Sequence, residues 1–224
     1  MKTNVKTIYL AVVTLLVLIL TSCGGNDDSP TAERPTIVYD NPDIEATFNQ
    51  AGSTTPTIDW NNDTGTIELI DSYSGGIPGL SISNASGKIT WTKDLGEGIW
   101  TFDVEATNSA GTTIVEMSID NTLQGTFTGT YDTTDFFQVV FAKNHTVIIN
   151  ADDAINPITA TGTWSISNNN TILVNYAYDV SGAEYSLKGQ LIRDGITPKY
   201  QGNWYFEYDA IETNLGGTIE LDME

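Results

Sequence analysis

Cysteine occurs once in these 224 residues and histidine once, and Lys and Arg together number 9 against 29 Asp and Glu. Each shortage excludes something. A lone cysteine, Cys23, cannot close an internal disulfide, so stability has to come from buried apolar area. A lone histidine, His145, rules out histidine-rich zinc sites and weakens any triad reading. It sits in a tight connection after Lys143-Asn144, the place of a surface turn residue. No serine lies in a Gly-x-Ser-x-Gly elbow. A formal charge of −20 repels phosphate backbones and opposes close approach to anionic lipid, which argues against a nucleic-acid partner. A long apolar run is missing too. Ile8 to Leu20, interrupted by Thr14, falls well short of the ~20 residues of a spanning helix. From Thr36 onward there is no amphipathic helix.

What is present begins with a basic start, Lys2 and Lys6, before that short apolar run. This is the pattern of a signal peptide over residues 1–22. The run ends in Leu20-Thr21-Ser22-Cys23, which resembles the lipobox of bacterial lipoproteins. The resemblance implies that the Cys23 sulfur carries a diacylglycerol and that the peptide bond before it is cut. Removal of 1–22 takes two lysines and no acid, leaving 7 basic residues against 29 acidic. Gly24-Gly25-Asn26-Asp27-Asp28-Ser29-Pro30 cannot bury a core, so 23–35 is expected to be the lipidated cysteine and a flexible acidic tether. The tether is similar to the export signal of Bacteroidetes lipoproteins. It implies an outer-membrane anchor facing the cell surface; glycine at 24 is consistent with leaving the inner membrane.

The rest is all-β in pattern. Short β-branched and aromatic runs alternate with Gly, Asn, Asp and Ser clusters at the spacing of a sandwich or barrel. Residues 36–121 form the first module. In Ile99 to Ala106, alternation sets Trp100, Phe102, Val104 and Ala106 on the core face. Asn108 to Gly111 supplies the turn, and Thr112 to Asp120 returns. Gly79-Leu80-Ser81-Ile82, Gly87-Lys88-Ile89-Thr90-Trp91 and the hairpin after them resemble the immunoglobulin-like and cadherin-like repeats of bacterial surface proteins. True cadherins carry acidic calcium motifs at repeat junctions, and the full set is absent.

Residues 122–224 read as eight strands near 123–131, 135–142, 145–150, 158–167, 171–178, 183–192, 199–208 and 215–222. Short connections make an antiparallel meander, and eight strands close into a small barrel. A second sandwich is the alternative. The inward face carries Leu123, Phe127, Tyr131, Ile172, Val174, Tyr176, Tyr178, Tyr185, Leu187, Leu191, Tyr200, Trp204, Phe206 and Tyr208. Gly125, Gly129, Gly189 and Gly202 share it, letting strands coil. Tyr205 and Glu207 fall outside. Leu-x-Gly-Thr-Phe and Gly162-Thr163-Trp164 are similar to signatures of lipocalin-like, or calycin-like, barrels, which implies a ligand-holding interior.

No cluster points to catalysis, and no cofactor is implied. Asp132 and Asp135, and Asp152-Asp153, lie in loops with no shared cleft evident and no spaced calcium-ligand run. Asp132-Thr133-Thr134 resembles the O-glycosylation motif of exported Bacteroidetes proteins, which would modify Thr133. The expectation is a non-catalytic, lipid-anchored binding protein with a spacer and a binding barrel. Trp164, Tyr176, Tyr185 and Trp204 are placed to stack on a carbohydrate or a small apolar ligand; filling the core is their other fate. A structural or adhesive envelope component, partnered by an outer-membrane protein, is the competing class, and a hydrolase with an unrecognised site the third.

Overall fold

A computed structural model describes residues 32–167, 169–193 and 197–224. The expected signal peptide over 1–22, Cys23 and most of the expected tether lie outside the described residues, as do Asn168 and 194–196. The first module contains β1 (Thr36–Val38), β2 (Asp43–Glu45), β3 (Gly52–Thr54), β4 (Thr57–Asp59), β5 (Gly65–Ile70), β6 (Leu80–Ile82), β7 (Ile89–Trp91), β8 (Gly98–Asn108) and β9 (Gly111–Asn121). β2-β9-β8-β5 form one sheet, β3-β7-β6 a second, and β1-β4 a small third. Both larger sheets feed one core, in which Ile67, Ile89, Phe102, Val104, Ala106 and Met117 are buried. Ile99, on the other face of β8, is 65% exposed, as alternation requires. The β8–β9 hairpin turns at Ser109-Ala110, where the Ala110 N–H donates to Asn108 Oδ1 at 2.9 Å and Gly111 has φ 137°.

The chain enters at that hairpin tip. Asn108 Nδ2 donates to Glu33 O at 2.7 Å, and Thr113 Oγ1 donates to Pro35 O at 2.6 Å. β2 then runs parallel to β9, pairing Asp43 to Glu45 with Ser118 to Asp120. β9 leaves the module at its opposite end, at Asn121, and leads into the barrel.

The barrel consists of β10 (Gly125–Tyr131), β11 (Asp135–Phe141), β12 (Thr146–Asp152), β13 (Ile158–Ile166), β14 (Thr171–Tyr178), β15 (Glu184–Ile192), β16 (Lys199–Phe206) and β17 (Leu215–Met223). Each strand pairs antiparallel with the next, and β17 pairs with β10, so the sheet closes. That closure excludes the second sandwich. Phe127, Val139, Ile149, Ile172, Val174 and Leu187 fill the interior, each fully buried; a side chain so buried contributes roughly 1.5–3 kcal/mol. Gly189 faces Gly202 across β15 and β16. A Cβ on Gly202 would stand 2.2 Å from Lys188 O and 2.4 Å from Gly189 Cα, so the tight coil of these strands requires glycine.

One part of the barrel corrects the alternation. β16 stops at Phe206, not at 208, because Glu207 turns to φ 67° and two short 3₁₀ turns follow, Tyr208–Ala210 and Glu212–Asn214. Ser186 Oγ donates to Glu207 O and accepts from the Ala210 N–H, both at 2.8 Å. Asn175 and Asp209 exchange two hydrogen bonds of 2.9 Å. This flap lies over the outside of β14–β16. Tyr205, expected on a solvent face, is therefore 2% exposed, and Tyr208 belongs to the flap and not to the interior. Phe206, expected inward, is 49% exposed at the strand end.

The barrel end next to the first module is sealed. Trp164 is 3% exposed, donates Nε1–H to Ala142 O at 2.9 Å, and stacks on His145 at 4.5 Å. His145 is the exposed turn residue expected, with φ 64°. Leu123 and Phe48 complete the seal, both fully buried, and Phe48 comes from the first module. The Arg193 guanidinium lies 5.0 Å from the Phe48 ring centre, donates Nη1–H to Leu95 O at 2.8 Å, and also donates to Lys93 O. Lys143 pairs with Glu45 at 2.5 Å and Asp120 at 3.4 Å.

Candidate functional site

At the far end the barrel is open. Strand β10 arrives there with Tyr131, β14 with Tyr176 and Tyr178, β15 leaves with Tyr185, and β16 arrives with Trp204. Inward alternation then puts these rings around one space. It is a cavity of about 430 Å³, within the range of small-molecule sites. Tyr131, Phe137, Tyr176, Tyr178, Tyr185 and Trp204 line it with Asp152, and Ile158 and Val180 stand at its mouth.

The rings touch one another in a closed circuit. Centroid distances are 6.3 Å from Tyr131 to Trp204, 6.1 Å on to Tyr185 and 5.8 Å to Tyr176. Tyr176 is 6.4 Å from Phe137, which returns to Tyr131 at 5.7 Å. Tyr176 and Tyr185 are cross-strand partners with nearly parallel rings, 22° apart. The Tyr131–Trp204 and Tyr131–Phe137 contacts are edge-to-face, an arrangement that sets a positive ring edge against a negative face.

Two aspartates orient this lining. Trp204 Nε1–H donates to Asp132 Oδ1 at 3.1 Å, which also accepts from the Thr218 N–H at 3.1 Å. A Cβ on Gly216 or Gly217 would strike the Trp204 ring, so two glycines make its seat. Tyr131 Oη–H donates to Asp152 Oδ1 at 2.7 Å. That hydrogen bond, with burial, holds the Tyr131 phenol well above its ordinary pKa. Burial raises the Tyr176 phenol well above its usual value and pushes Tyr178 up to about 12. These three hydroxyls stay protonated at neutral pH, and Asp152 is the one carboxylate in the lining.

Of the four residues the sequence placed at a ligand site, the structure brings Tyr176, Tyr185 and Trp204 together. Trp164 stands at the sealed end, apart from them. Tyr131, Tyr178 and Asp152 were not among the four. Both tyrosines already lay on the inward face, and that alternation was the available signal. Asp152 had none, because β12 runs two residues past its expected end at 150 and carries Asp152 onto the rim. Asp132 and Asp152, loop carboxylates with no shared cleft evident in the sequence, both hold rings of one cavity. Thr133 is exposed in the β10–β11 turn, with φ 75°. Among the described residues, no group of three or more acidic, cysteine or histidine side chains could hold a metal ion.

The arrangement can stack on flat or apolar groups and hydrogen-bond at its rim. No family model matches the chain, and no curated protein matches it. Solved structures similar to it include human protocadherin-24 EC1-2, at 8% identity and a TM-score of 0.37, covering 86% of this chain and 97% of that one. A quinonprotein alcohol dehydrogenase-like protein from Bacteroides thetaiotaomicron has 12% identity and a TM-score of 0.31, over 76% of this chain and 58% of that one. A chimeric titin Z1Z2 bearing a decorin peptide also has 12% identity and a TM-score of 0.31, over 85% and 96%. Likenesses this remote speak neither to ligand nor to activity.

Proposed function

We propose that this is a non-catalytic binding protein, anchored to the outer membrane through lipid on Cys23 and displayed at the cell surface. The first module is its spacer, and the barrel takes a small ligand through its open end. One observation carries the reading: an open cavity of about 430 Å³ walled by a closed circuit of aromatic rings. Filled cores leave no such space. A carbohydrate or a small apolar molecule meets the requirement of a flat or apolar face. The lining offers a single carboxylate and, among the described residues, no histidine or cysteine. That supports binding over hydrolysis, which draws on a second proton-transfer group.

The test is native mass spectrometry of the protein purified without denaturation, beside Tyr185→Ala and Trp204→Ala. A co-purifying small molecule lost from both variants is the expected result. Retention of it by both would refute the cavity as the site. For the anchor, Cys23→Ser should abolish labelling by a fatty-acid analogue; equal labelling of variant and wild type would overturn it.

A second reading draws on Ile155 and Val180, 86% and 95% exposed on the loops around the mouth. Apolar side chains so fully offered to water suit docking against an envelope protein.

A further inference from the structure

We propose that the barrel cavity selects an organic cation, an amine or quaternary ammonium on an apolar body, with Asp152 as its counter-charge. The proposal rests on the cavity being a ligand site and narrows what that ligand is.

Three observations converge. The first is the wall. Tyr131, Phe137, Tyr176, Tyr185 and Trp204 form one circuit of touching rings. Ring faces are negative, and a cation within about 6 Å of a ring centre is attracted to it, most strongly where water is excluded. The same faces repel an anion.

The second is the charge of the lining. Asp152 stands on the rim and lines the cavity, held by the Tyr131 hydroxyl through Oδ1. No lysine, arginine or histidine lines the cavity among the described residues. Because Tyr131, Tyr176 and Tyr178 remain protonated, their hydroxyls add dipoles and no charge.

The third is how charge is distributed along the barrel. Three of its four basic residues, Lys143, Arg193 and Lys199, are at the sealed end, and the fourth, Lys188, stands midway along β15 and pairs with Glu212 at 3.7 Å. At the sealed end, Lys143 and Lys199 meet carboxylates and Arg193 meets the first module's carbonyls. The open end carries Asp132, Asp135, Asp152, Asp153, Asp179 and Glu184 on its loops and strand ends. With so little positive charge to cancel them, these set a negative potential at the mouth. It attracts a cation and repels an anionic sugar or carboxylate. A bare metal ion is the other cationic candidate, but among the described residues no three ligands converge. The apolar mouth, Ile158 at 48% and Val180 at 95% exposure, calls for a carbon body behind the charge.

The experiment is a calorimetric titration of the purified full protein with three probes that share a phenethyl body. They are phenethyltrimethylammonium, its neutral isostere (3,3-dimethylbutyl)benzene, and the anion 3-phenylpropionate. The ammonium should bind at least tenfold tighter than the neutral isostere, with the anion weakest. Raising the salt concentration should weaken the ammonium alone.

Asp152→Asn should cut ammonium affinity at least tenfold and leave the isostere unchanged. Asparagine tolerates the φ of 71° at this position and keeps an acceptor for Tyr131, so the fold is preserved. Tyr185→Leu should weaken the ammonium by more than it weakens the isostere. If the isostere binds as tightly as the ammonium, or if Asp152→Asn leaves both unchanged, the cation is refuted while the cavity remains a ligand site. If none of the three probes binds, the cation is refuted, and the binding reading stands or falls separately on the native mass spectrometry of Tyr185→Ala and Trp204→Ala.

Discussion

The two ends of the barrel are built from the same residue types and do opposite things. At one end Trp164 lies 3% exposed beneath a turn, its indole N–H bonded to a backbone carbonyl and its ring stacked on His145. At the other, Trp204 occupies an equivalent inward position, yet its ring walls an open space and its N–H reaches an aspartate at the rim. The difference comes from what covers each end. The first module contributes Phe48 to the sealed end, with Leu123 from the linker behind it. Among the described residues, none of the first module lines the open end, and the long loop there, between β16 and β17, folds back over the outer wall. An inward aromatic is thus core or cavity wall according to the chain that lies over it, not according to its strand.

Equal truncations at the two ends sharpen this contrast. Trp164→Ala should cost about 3–5 kcal/mol, the loss expected for a buried ring whose cavity cannot collapse. Trp204→Ala should cost only about 1–2 kcal/mol, since part of its surface already faces water. Denaturant midpoints read both, and equal shifts would break the comparison.

The seal itself is tested next. Phe48→Ala, in the first module, should lower the stability of the barrel by about 3 kcal/mol. It should also split a single calorimetric transition into two, as the modules lose their shared core. A single undiminished transition would mean that Phe48 is dispensable.

Arg193→Ala follows, with about 1–3 kcal/mol from lost hydrogen bonds to Leu95 and Lys93 and lost contact with Phe48. Hydrogen exchange at the backbone amides of residues 93–97 should accelerate in this variant while the amides of Tyr176 and Tyr185 at the mouth keep their protection.

The smallest effect concerns Glu97, which accepts a hydrogen bond from the Leu123 N–H at this junction. Burial raises its carboxyl pKa above the usual value. The folded state therefore holds its proton more tightly than the unfolded chain does. Stability from this group is present at low pH and is lost as pH rises through the raised pKa. Glu97→Gln should gain slightly over wild type at pH 7 and match it near pH 4, measured by thermal unfolding at both.

Much of this was legible in the sequence. All eight barrel strands, their antiparallel order and the inward faces of β14 and β15 follow from period-two alternation, because one face of a closed sheet is buried along its whole length. The hairpin at Asn108 to Gly111 follows from turn chemistry. Tyr205 was not legible, since the flap that buries it is held by Ser186 and Asn175 from distant strands. Nor was the split between Trp164 and Trp204. Alternation tells which way a side chain points across the sheet, and is silent on how far along the barrel axis the neighbouring module reaches. Asp152 was missed by a strand end misplaced by two residues.

The parallel pairing of β2 with β9 bears on mechanics. The chain enters at the hairpin tip, runs up β2, and leaves for the barrel from the top of β9. Tension applied between the start of β1 and the barrel would pull these two neighbours past each other along their length. Their pairings at Asp43, Ile44 and Glu45 are then loaded together in shear. Peeling from one end would break them in turn, each at a lower force. This short parallel contact, three residue pairs long, is placed to let the first module hold its length under load.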